Sequence, residues 1–163
     1  MEPRIEMLAE KKLIGKNIRT SIAKDRTFEL WRNFMPERKN IKNVIGSDLI
    51  SMQVYDQGFD FKDFTPDIEF EKWATVEVSD HRYIPDGMSA YTLRGGLYAV
   101  FHYKGRPSNF AEAFKYIFYN WFPASPYEVD QREHFEILGD KYKNDDPDSE
   151  EDIWVPIKPR KTA

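Results

Sequence analysis

The sequence predicts an α+β domain built from a duplicated βαββ unit. It expects an antiparallel sheet of about eight strands, helices on one face, and a ligand cleft between the halves. Three observations lead there. Pro66-Asp67-Ile68-Glu69 runs on to Trp73, and Pro147-Asp148-Ser149-Glu150 runs on to Trp154 with the same spacing. Phe34-Met35-Pro36 matches Trp121-Phe122-Pro123 at the ends of two predicted helices. The order of strands and helix also restarts after a turn-rich stretch at 81–87. Residues 1–163 are therefore read as one domain, with halves at about 7–79 and 88–158.

The first half opens on a strand over 7–21, with Leu13, Ile14 and Ile18 as its apolar content and Gly15 marking a bulge. A helix begins at Thr27. Phe28, Trp31 and Met35 recur at helical steps on one face, and Pro36 kinks or closes it. A strand follows over 48–55, then a long connection over 57–71 rich in Phe and Asp. The strand at 72–78 alternates, with Ala74, Val76 and Val78 on one face and Trp73, Thr75 and Glu77 on the other.

The second half begins with a strand over 90–103, broken or bulged at Gly95-Gly96. Ser108 is an N-cap for a helix whose apolar face carries Phe110, Ala113, Phe114, Ile117, Phe118 and Trp121. Strands are predicted at 134–138 and 153–157, separated by an acidic loop at 140–152. Pro156 marks an edge or a bulge, and 158–163 is a frayed tail.

Composition narrows the function. With 40% hydrophobic and 15% aromatic residues, the chain has enough apolar content for a core, which excludes general disorder. A net charge of −4 with mixed signs disfavours a dedicated nucleic-acid binder and mildly favours cationic small molecules. The absence of cysteine excludes disulfides, thiolate nucleophiles and Cys-ligated metals. His81, His102 and His134 lack metal-ligand spacing, and Arg94-Gly95-Gly96 is no phosphate loop. The acidic run at 145–152 lacks the glycine hinge of a calcium loop and reads as a solvated hairpin. No cofactor or metal is expected. The start has no secretory pattern, and no apolar run is long enough for a membrane span, so a soluble cytoplasmic protein is expected, with no membrane partner.

Candidate site residues follow from the repeat. Trp73 and Trp154 head matching strands, and alternation puts both rings on the face away from the helices, flanking one groove. By alternation Phe135 and Ile137 face the helices, and Glu136 shares the other face with His134 and Leu138, where a carboxylate surrounded by rings would pair with a cationic ligand or act as a general base. Met52 is read as the counterpart of Glu136 in the first half. Tyr98 and His102 alternate together, and either one faces the groove.

His134-Phe135-Glu136-Ile137, the acidic Asp-Pro loop and Asp152-Ile153-Trp154-Val155-Pro156-Ile157 together resemble the ending of the GyrI-like domain. This is also the effector-binding domain attached to AraC-type and related transcription regulators. The strand Gly96-Leu97-Tyr98-Ala99-Val100-Phe101 and the helix ending Trp121-Phe122-Pro123 fit the same family. The resemblance implies two βαββ units around a cleft for hydrophobic, often cationic, small molecules, with Glu136 as its acid and Trp73, Trp154 and Tyr98 as walls. No helix-turn-helix precedes the first repeat, so a stand-alone binding module without direct nucleic-acid contacts is expected. Two alternatives remain. One is a hydrolase of strained electrophiles using Glu136 with Tyr98 or His102. The other is a gyrase-type inhibitor whose acidic loop meets a basic partner.

Overall fold

The computed structural model describes residues 1–161. Nine strands form one antiparallel sheet: β1 (Arg4–Leu8), β2 (Lys11–Ser21), β3 (Leu49–Val54), β4 (Glu69–Val78), β5 (Ser89–Leu93), β6 (Gly96–Lys104), β7 (Tyr127–Val129), β8 (His134–Leu138) and β9 (Glu150–Pro159). Their order is β1-β6-β9-β8-β3-β4-β2-β5, with β7 pairing to the end of β9. Exchanging β1 with β5, β2 with β6, β3 with β8 and β4 with β9 returns the same order, so a pseudo-twofold axis runs through the central β3–β8 pair. The register locates it. Met52 pairs with both Trp73 and Phe135, and Phe135 pairs with Trp154, so the axis passes between Met52 and Phe135.

The sheet curls strongly. β1 and β2 stand near opposite ends of the strand order, yet only Ala9 and Glu10 join them; Arg94 and Gly95 join β5 to β6 in the same way. Two residues reach only about 10 Å, so the two edges must meet at that end. The turns touch: a side chain on Gly95, where φ is +84°, would strike the Leu8 carbonyl. Each unit also lends its first strand to the other, since β1 pairs with β6 and β5 with β2.

Curling lets both faces of the sheet be buried. The face without helices closes on itself around Leu13, Trp73, Met52, Phe135, Trp154 and Tyr98, in one cluster with Leu8 and Leu93 from the two edge strands. The other face carries two helical layers. Helix α1 (Thr27–Phe34) sets Leu30 and Phe34 on Ile14, Ala74, Val76 and Val78. Helix α2 (Phe110–Lys115) continues through a π-helical turn at Tyr116–Trp121 into α3 (Phe122–Ala124). Ala113, Ile117 and Phe122 of this layer cover Phe101, Ile153, Val155 and Ile157.

Several expectations are corrected. The predicted strand at 7–21 is two strands, cut at Ala9-Glu10, whereas the one at 90–103 is broken beside Gly95-Gly96 as expected. Gly15 marks no bulge, because the β2–β4 register runs unbroken through it; it is a site of close approach, where a Cβ would meet the Ala74 carbonyl at 1.9 Å. The buried face of α1 is Leu30 and Phe34, whereas Phe28 is 78% exposed and Met35 lies beyond the helix. Pro36 sits in a 3-10 turn that follows α1. Ser108 does not cap α2; its hydroxyl donates to Asp145. β9 extends into both the acidic loop and the supposed tail, whose residues 162 and 163 lie outside the described residues. Pro156 is in an interior strand. Its carbonyl accepts from Asp130 N, so its nitrogen points to the same side, where β8 has ended and β7 is just beginning, and no ladder donor is missed.

Candidate ligand-binding cleft

Two rows of side chains cross the centre of the helix-covered face. Ala74, Ser51, Glu136 and Ile153 pair across β4, β3, β8 and β9, and Lys72, Gln53 and His134 make the next row. Ala74 packs under α1 and Ile153 under α2. Ser51 and Glu136 thus lie on the strip between the two helical layers.

That strip holds a closed polar network. Glu136 is 8% exposed and Lys72 7%. The Lys72 ammonium lies 3.5 Å from Glu136 Oε1 and donates to Gln53 Oε1, while Gln53 Nε2 donates to Glu136 Oε2 at 3.0 Å. The dyad between Met52 and Phe135 makes Gln53 the counterpart of Glu136, so the two halves meet in a hydrogen bond between equivalent positions. Glu151 joins from β9. Burial pushes its carboxyl up to about 8, helped by the charge of Glu136 and opposed by Lys72.

Beside this network opens a cavity of about 1260 Å³. Its walls are the β3–β4 connection, the π-helical turn and the segment from β7 into β8. Phe61 is the central ring, 4.6 Å from Phe118, 4.9 Å from the His134 imidazole and 5.0 Å from Phe64, between centroids. Phe114 and Phe118 stand 4.5 Å apart on the helical side. Phe118 of the π turn stacks on Phe122 at 5.6 Å. Tyr55 and His134 line the cavity and also border Glu136, so they connect it to the polar strip. Burial holds the imidazole of His134 down to about 3, with Arg132 adding to the effect, so the ring is neutral. At the rim Glu133, 3% exposed, accepts from the Tyr91 hydroxyl at 2.6 Å and has one buried carboxylate oxygen without a partner among the described residues.

The expected site residues are not brought together. Trp73, Trp154, Met52 and Tyr98 lie in the self-packed core on the far side of the sheet from Glu136. The prediction that Phe135 and Ile137 face the helices inverts the parity of β8, because Phe135 packs in that core. Both faces are buried, so apolar character could not say which face was which. Met52 is the counterpart of Phe135 rather than of Glu136. Tyr98 is fully buried, donating to the Glu133 carbonyl at 2.8 Å. His102 is on the outer surface, bonded to Asp152 and Glu150 at 2.8 Å each, which raise its pKa. Neither can assist Glu136 in hydrolysis.

Sequence reasoning missed Lys72, Gln53, Glu151 and the Phe59–Phe61–Phe64 cluster. A signal for Lys72 was present: the alternation that puts Ala74 and Val76 on the helix face puts Lys72 there too. Three phenylalanines in a loop were likewise more than a connection needs.

The chain matches the model of the GyrI-like small molecule binding domain over residues 1–158. It belongs to the GyrI-like family. Its fold is that of solved GyrI-like structures. SAV2435, solved bound to tetraphenylphosphonium, is similar with a TM-score of 0.75 at 16% identity over 97% of this chain and 94% of that one. The integron cassette protein VCH_CASS2 of Vibrio cholerae is similar with a TM-score of 0.68 at 15% identity over 97% of each chain. The EcmrR C-terminal domain gives 0.68 at 13% identity over 98% of each. No curated protein matches the chain. Among the described residues of this GyrI-like domain, no helix is long and apolar enough to cross a membrane, and no cluster of metal-ligating side chains occurs.

Proposed function

We propose that this GyrI-like chain is a single cytoplasmic binding domain that takes up an amphipathic aromatic small molecule between its halves. The ligand lies in the ring-lined cavity at Phe61, Phe118 and His134, with its polar end toward the Glu136–Lys72–Gln53 strip. The observation that carries this is the juxtaposition of a large aromatic cavity with a buried carboxylate on the dyad, since an apolar pocket with a few convergent polar groups is the usual form of a small-molecule site. The tetraphenylphosphonium held by SAV2435, a structure of the same fold, supports the ligand class.

Calorimetric titration with two probes tests it: tetraphenylphosphonium and the uncharged triphenylphosphine oxide. At least one should bind, and Phe118→Ala should weaken that binding by roughly tenfold through lost ring contacts. A folded protein that binds neither probe, or binds as well without the Phe118 ring, is incompatible with the reading.

A further inference from the structure

We infer that Lys72 is the specificity-determining residue of this cleft: its ammonium already occupies the cation position beside Glu136, so the site selects uncharged aromatic ligands over cationic ones of similar shape. The inference rests on the reading of the cleft given above.

The geometry is specific. Lys72 is a charged side chain on a strand position whose neighbours on the same face, Ala74, Val76 and Val78, are buried apolar residues. Its ammonium reaches Glu136 at 3.5 Å, and Gln53 bridges the two, accepting from Lys72 and donating to Glu136 at 3.0 Å. Both charged side chains are about nine-tenths buried. A buried carboxylate attracts a ligand cation because it lacks a counter-ion, and here that need is met within the chain. A cationic ligand must therefore displace the Lys72 ammonium from Glu136, or bind without pairing to Glu136, against Glu133 at the rim. Glu151 does not restore the deficit: with its carboxyl pushed up to about 8 by burial and by Glu136, it is mostly protonated at neutral pH. An uncharged ligand meets no such competition and leaves the pair intact.

The test uses the whole chain and the same two probes. Wild type should bind triphenylphosphine oxide more tightly than tetraphenylphosphonium; the opposite order overturns the inference and needs no variant. In Lys72→Met the affinity for tetraphenylphosphonium should rise by roughly tenfold, while that for the phosphine oxide, whose oxygen loses the ammonium donor, should not rise. Lys72→Met/Glu136→Gln should lose that gain. An unchanged cation affinity in folded Lys72→Met, or an equal gain for both probes, overturns the role of Lys72 and leaves the cleft standing. Failure of both probes to bind either protein removes the cleft reading, and this inference with it.

Discussion

Trp73 and Trp154 stand in one row of the sheet, separated only by Met52 and Phe135 and exchanged by the dyad that passes between those two. The row lies in the core of the curled sheet, where the Trp154 ring stacks on Phe135 at 5.2 Å and Trp73 meets Tyr91 edge-on at 5.2 Å. Their duty is to hold the two units together. Trp154→Ala should therefore cost roughly 3–5 kcal/mol in denaturant unfolding, as large aromatic truncations in cores do. The remaining folded protein should bind ligand as before. A tryptophan variant of full stability and lost binding would place the indole in the site instead.

The Phe61 ring joins the β3–β4 connection to the helical side of the cavity through Phe118 and to the sheet through His134. Phe61→Ala should weaken binding of a triphenyl probe by roughly tenfold. The midpoint of unfolding should move less than in Trp154→Ala, because Phe61 is half-buried. Equal loss of stability in the two variants would make Phe61 a core residue rather than a wall.

Glu151 predicts a stability slope through the weakly acidic to neutral range. Its folded carboxyl titrates at about 8, above the ordinary range, so the folded state binds more protons than the unfolded state between the two values. Stability should fall as pH rises from about 5 to 8, by roughly 3–5 kcal/mol from this group, and level off above. Glu151→Gln should flatten the slope in urea unfolding measured across that window. An equally steep slope in the variant would assign the effect elsewhere.

His134 acts on the acid side. Its imidazole is held down to about 3 by burial, so below about pH 6.5 the unfolded chain takes up a proton that the folded chain refuses. The stability it contributes is present above that value and is lost as pH falls toward 3. His134→Phe should lessen acid denaturation over that range, with the far-ultraviolet circular dichroism signal as readout.

Gly15 permits the approach of β2 to β4, where a Cβ would meet the Ala74 carbonyl. Gly15→Ala should destabilise by roughly 1–3 kcal/mol, the cost of forcing an extra atom into a packed interior. A neutral substitution would show that the two strands separate freely.

The repeat in the sequence carried the architecture, because matched Pro-to-Trp spacings reflect matched strands: Trp73 and Trp154 do occupy equivalent places. The Gly95-Gly96 pair also marked a true break between β5 and β6. The face of β8 was not legible. Alternation tells which residues share a side, but naming the side needs one face to be wet, and here Phe135 and Ile153 are both buried on opposite faces. The curl that buries the tryptophan face depends on β1 pairing with β6 and β5 with β2, contacts between distant parts of the chain that no local pattern encodes. The Lys72–Glu136 pair likewise arises only once β3 brings β4 and β8 to either side of Gln53.

The loan of a first strand by each unit to the other has a consequence for any fragment of the chain. Severed between β4 and β5, either piece would keep an orphan ribbon and lack the one that completes it. The pieces should be soluble only when mixed, as mutual complements, and a lone unit expressed by itself would have to embrace a twin of itself to satisfy the same ladders.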